Sequence, residues 1–169
     1  MNKLPLLPLS LLFALTAFSQ ECKYDLDSYD PFTKMHKLEK EVKLNSADLL
    51  GAGYLNVTIC KHDSLNFIRL KYTSIKNVSI STSDKLLFLL DNQQTLVAEP
   101  QQNYSSEVRK SNPRQQIISA SYKFENPAAF ENFKKQKILS VRIYYNGESH
   151  DHNVKDKFQE SFQSAIRCF

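Results

Sequence analysis

His150-Asp151-His152 is the cluster in this chain with metal-ligand character. Alternate residues of a strand share a face, so both imidazoles would point the same way. A structural zinc site needs about four ligands and a catalytic one about three. No Cys pair or His-Glu-x-x-His motif accompanies these histidines, and His36 and His62 are far away in sequence. Two readings compete: a metal-dependent or other hydrolase using His150 and His152, or a pair of hydrogen-bonded, partly buried histidines. The ligand count favours the second, so neither a metal nor any other cofactor is expected.

Three cysteines, Cys22, Cys60 and Cys168, bear on compartment. In an oxidising environment two would pair and one would be left over. Cys22 and Cys168 stand near the two ends of the exported chain, and domain termini often lie close together, so they are the expected disulfide. Cys60 reads as a free, buried thiol in a strand; Lys61 and His62 are its only basic neighbours, and no Cys-x-x-Cys activates it. Serine chemistry has no frame. The three glycines, Gly51, Gly53 and Gly147, cannot build a Gly-x-Ser-x-Gly elbow or a phosphate-cradling loop. The carboxylate pairs Asp25/Asp27 and Glu39/Glu41 alternate as solvated strand faces do, and no catalytic residue is assigned. Tyr144-Tyr145 and the polar stretch Glu99 to Pro113, read as a long surface loop, could form a recognition surface.

The elements that must position these residues are mostly strands. Leu38, Val42 and Leu44 form an apolar stripe interrupted by Lys40, a half-buried strand. Ser46 could cap one helical turn through Leu50. Leu55, Val57 and Ile59 mark a second strand, Ile68, Leu70 and Tyr72 a third, and Val78 with Ile80 a fourth. Leu86 to Leu90 is apolar at every position, which predicts a central strand covered on both faces. Thr95 to Ala98 and Gln115 to Phe124 follow.

Asn126-Pro127 should start a helix at about 127–136 that carries Phe130 and Phe133 inward. Leu139, Val141, Ile143 and Tyr145 then alternate up to Asn146-Gly147, the pair favoured by a two-residue hairpin turn. That turn would set Tyr145 opposite Glu148, Ile143 opposite His150, Val141 opposite His152 and Leu139 opposite Val154. Both histidines would face the apolar side, and Arg142 would meet Asp151 on the other. A final helix at about 155–168 carries Phe158, Phe162, Ala165, Ile166 and Phe169 on one stripe.

The chain opens with Lys3 and an apolar run from Leu4 to Phe18, too short for the roughly 20 residues of a membrane span. Residues 1–19 read as a signal peptide cleaved before Gln20, with Ala17 and Ser19 as the small residues at the cut. Residues 20–169 would form a single globular β-rich domain. Removing Lys3 leaves 21 basic against 18 acidic residues, spread without the basic face that nucleic acid requires.

Phe18-Ser19-Gln20, Cys22-Lys23-Tyr24, Asp30-Pro31-Phe32-Thr33, Asp84-Lys85-Leu86, Val141-Arg142-Ile143-Tyr144 and an end near Cys168 together resemble a loose group of small exported proteins of Bacteroidota. The group has no established activity, so the resemblance implies a bacterial envelope or secreted setting and carries over no functional residue. The expectation is an α+β fold: a largely antiparallel sheet of about eight strands, in one or two layers, with two helices packed on it. The expected function is non-enzymatic binding of a protein or small ligand by a secreted or periplasmic monomer that does not span the membrane.

Overall fold

A computed structural model describes residues 22–45, 53–126 and 128–169. The signal peptide, its cleavage before Gln20, the helical turn from Ser46 and Pro127 lie outside those residues. In chain order the strands are β1 Leu26–Tyr29, β2 His36–Asn45, β3 Leu55–His62, β4 Leu65–Ser74, β5 Ser79–Ile80, β6 Leu86–Leu90, β7 Thr95–Pro100, β8 Tyr104–Ser105, β9 Glu107–Val108 and β10 Gln116–Phe124. Helix α1, Ala128–Lys135, precedes β11 Ile138–Tyr145 and β12 Glu148–Asn153; helix α2, Asp156–Ile166, is last.

The fold is α+β. One antiparallel sheet runs β1-β2-β3-β4-β10-β7-β6-β11-β12, with β9 also paired to β10, and β5 and β8 form a separate ribbon. Ten strands in the sheet exceed the eight expected. The sequence hides the extra ones: β1 has no apolar alternation, and strands of two residues are too short to show a period.

The period-2 pattern makes one face of the sheet apolar. Val57 sits opposite Leu70, which sits opposite Ala120, all fully buried. The sheet curls towards this face. Tyr72 on β4 lies 5.7 Å from the Tyr145 ring on β11 and 5.4 Å from the His152 ring on β12. Five strand spacings in a flat sheet would hold β4 and β12 about 24 Å apart.

The helices fill the concavity. Phe133 of α1 packs edge-on against Phe88 of β6 at 5.0 Å, Phe124 of β10 at 5.3 Å and Phe162 of α2 at 5.5 Å. Asn126 begins α1 as expected, its side-chain oxygen accepting from the Ala128 amide at 2.9 Å. Two buried glutamines join the helices to their surroundings. The Gln163 amide donates to the Phe133 carbonyl at 2.7 Å and to that of Gln136, at the end of α1 where carbonyls lack helical partners. Gln159 donates to the Val154 carbonyl at 2.9 Å.

Two expectations are corrected. Glu99–Pro113 is not one loop: β7 extends through Pro100, and β8 and β9 follow. Tyr104 secures that segment by donating to the Ser121 carbonyl at 3.2 Å. Leu86–Leu90 is central but covered on one face only; Leu87 and Leu89 are half-buried on the outer face, beside the Arg142 and Asp151 side chains. Long polar side chains shield those leucines instead of a second layer. No described helix is long and apolar enough to cross a membrane.

Candidate functional site

The β11–β12 hairpin has the register that its turn dictates: Tyr145 faces Glu148, Ile143 faces His150 and Val141 faces His152. Asn146 and Gly147 both have positive φ, 52° and 76°, as the tight hairpin turn requires. The hairpin ladder runs as far as Ser140 opposite Asn153, beyond which Val154 donates to the Leu139 carbonyl. On the outer face Arg142 grips Asp151 through two bonds, at 2.6 and 2.7 Å.

Both histidines point inward. His150 stacks flat on Tyr145, 3.9 Å between ring centroids, and His152 meets the Tyr72 ring edge-on. Neither Nε2 has a hydrogen-bond partner among the described residues, so these are ring-packed histidines and not the hydrogen-bonded pair expected. Burial, reinforced by His150, pushes the His152 pKa down. Among the described residues no three His, Cys, Asp or Glu side chains group as metal ligands would.

The outer face of β2, β3 and β4 carries a second polar group. Arg69 holds Glu39 through two bonds at 3.0 and 3.1 Å, and the His62 ring lies 3.2 Å from the same carboxylate. Burial alone would raise the Glu39 carboxyl, but the hydrogen bonds from Arg69 and His62 outweigh it and hold it below its usual range. Cys60, directly opposite Glu39, is the free thiol expected and is fully buried. Burial pushes its pKa up to about 12, so it carries no thiolate near neutrality.

The strongest constellation lies where the chain ends meet. Cys22 and Cys168 form the disulfide expected, with Cα atoms 5.6 Å apart. Tyr24 reinforces it: its hydroxyl donates to the Cys168 carbonyl at 2.7 Å and its ring meets Phe169 at 5.4 Å. Segment 22–24 is thereby laid beside α2, and a groove of about 410 Å³ opens between α2 and β2. Val42, Phe158 and Ala165 supply its apolar wall; Lys23, Lys40, Lys43 and Glu41 supply its charges.

Those charges are unequally engaged. Lys40 lies 3.2 Å from Asp25, whose other oxygen accepts from the Glu41 amide at 2.7 Å. That backbone bond, working against burial and aided by Lys40, lowers the Asp25 pKa. Glu41 itself accepts from the Asn56 amide. The Lys43 ammonium stands 4.7 Å over the Tyr54 ring and 5.7 Å from that of Phe158. Among the described residues no carboxylate lies within ion-pair distance of Lys23 or Lys43.

No family model, curated protein or solved structure matches this chain. The groove therefore has to be read from its own chemistry. Sequence reasoning missed it, because positions 23, 40, 43 and 158 share no local pattern. The signal was Lys40: a cation breaking an apolar stripe marks a place where the opposing helix stands off the sheet.

A larger cavity, about 510 Å³, lies at the β3–β4 turn, with Met35, Leu65 and Phe67 among its walls. His62 there is already engaged with Glu39, leaving Lys123 as the cation of that cavity outside an ion pair. The β2–α2 groove carries more cations beside its apolar wall and is the stronger candidate site.

Proposed function

We propose that this protein is an exported, non-enzymatic binding domain, secreted or periplasmic after cleavage before Gln20, that holds a ligand in the groove between β2 and α2 as a monomer. The observation that carries this reading is the groove built against the Cys22–Cys168 clasp. A disulfide persists in oxidising compartments, which fits export. A cavity of about 410 Å³ with mixed apolar and charged walls has the size and character of a small-ligand site. The groups that could do chemistry are committed elsewhere: Cys60 is buried and protonated, Glu39 is held by Arg69, and the His152 ring packs on Tyr72.

Native mass spectrometry of the protein purified after export from its own host tests the proposal. The expected result is a mature mass beginning at Gln20 and a retained small ligand. The Ser161→Trp variant, altering an exposed position at the groove, should lose that ligand. Retention by the variant, or no ligand on the host-derived protein, would overturn the groove as the site. Substrate turnover abolished by His150→Ala would overturn the non-enzymatic reading in favour of the hydrolase alternative.

A further inference from the structure

We infer that the β2–α2 groove selects an anionic group, phosphate or carboxylate, carried on an apolar stem, and that Lys23 and Lys43 anchor the anion. The inference rests on the binding reading above and adds the chemistry of the ligand. Lys40 is matched by Asp25, and Glu41 is occupied by Asn56, so neither dominates the field of the groove. Neither Lys23 nor Lys43 has a carboxylate within ion-pair distance among the described residues; Lys23 acts on Asp25 only at longer range, and Lys43 lies over the Tyr54 and Phe158 rings. An ammonium is a compact point charge, without the fixed fork of arginine, so it accepts a tetrahedral or a planar oxyanion alike. Beside these cations, Val42, Phe158 and Ala165 offer an apolar wall on which an uncharged stem loses contact with water. A bare ion would leave that wall unused, and a neutral amphiphile would leave the two ammoniums unanswered.

The clasp enters the same site. Lys23 follows Cys22 directly, and Tyr24 holds the next residue to the Cys168 carbonyl. Opening the disulfide removes the covalent anchor beside Lys23 and leaves the Tyr24 hydrogen bond alone to hold the segment, so anion affinity should fall on reduction.

Calorimetric titration of the disulfide-intact mature protein with hexyl phosphate, hexanoate, inorganic phosphate and hexanol reads each part of the inference. Hexyl phosphate and hexanoate should bind, inorganic phosphate more weakly, and hexanol least. Lys23→Gln, at an exposed position, and Lys43→Gln should each weaken hexyl phosphate by about 2- to 10-fold, as expected for partly screened charge pairs. Salt near 0.5 M should weaken it further. Lys110→Gln, on an exposed turn outside the groove, should leave it unchanged.

Equal binding of hexanol and hexyl phosphate in the groove would overturn the anion preference while leaving the binding function standing. Unchanged affinity in both the Lys23→Gln and Lys43→Gln variants would overturn the anchors. Capture on phosphatidylglycerol vesicles without response to soluble hexyl phosphate would overturn the cavity as the site. Loss of the host-derived ligand in Ser161→Trp with no response to either anion would overturn the ligand class but not the groove.

Discussion

His152 sits where curl brings the edge strand β12 against β4, with its half-buried ring against Tyr72. Its pKa lies below the ordinary 6.5, chiefly through burial. The unfolded chain therefore takes up a proton as pH falls through about 6.5 while the folded chain resists, and stability falls with pH. Thermal melts should show a lower Tm at about pH 5.5 than at about pH 7.5, a window above the carboxylate range. His152→Phe, which keeps an aromatic ring against Tyr72, should flatten that dependence; an equally steep profile in the variant would remove His152 as its source. Cys60 gives a second residue-scale expectation. Fully buried, with its pKa raised to about 12, it should resist iodoacetamide in the native protein and react only after denaturation. Native labelling would contradict its place in β3. Cys60 is buried as expected, although strand alternation sets it on the outer face, between Glu39 and Phe67 of the neighbouring strands. Sequence reasoning gave the cross-strand partners of the histidines correctly but not the ring contacts: His150 stacks on Tyr145, and His152 meets Tyr72 from a strand 80 positions earlier.

At the scale of elements, the β11–β12 hairpin was legible down to its register, since a two-residue turn leaves no freedom in which residues face each other. Both helices were legible from their stripes and, for α1, from the Asn126 cap. The short strands β8 and β9 were not, because two residues cannot establish a period, whereas Val78 and Ile80 had marked β5. The buried glutamines were also hidden: nothing local distinguishes Gln163, which serves the end of α1, from a solvated glutamine. The joint between helices and sheet rests on Phe133, in contact with Phe88, Phe124 and Phe162. Phe133→Ala should cost about 3–5 kcal/mol in urea unfolding, the range for a fully buried aromatic whose cavity cannot collapse. A loss below about 1 kcal/mol would mean that α1 docks independently of this cluster.

For the whole molecule, the clasp closes a loop of 146 residues in sequence separation. Constraining so long a segment of unfolded chain stabilises the native state by about 5 kcal/mol in the chain-entropy account. The double variant Cys22→Ser/Cys168→Ser should therefore unfold at lower denaturant than the oxidised protein, by that order in free energy. Reducing agent should lower the stability of the parent and leave the variant unaffected. Identical midpoints for the parent under oxidising and reducing conditions would show that the ends are held by Tyr24 and Phe169 without the sulfurs.

Sequence alone determined the α+β class, the two helices and the final hairpin, because each depends on local period or a turn of fixed length; the pairing of Cys22 with Cys168 followed expectation from the nearness of domain termini, and the tertiary structure decided it. Only the tertiary structure decided that the sheet curls far enough to bring Tyr72 onto His152, and that Lys23, Lys40 and Lys43 gather against Phe158. Curl accumulates from twist over many strands, and the groove joins residues from opposite ends of the chain. Apart from Lys40 breaking the β2 stripe, neither leaves a trace in the spacing of neighbours.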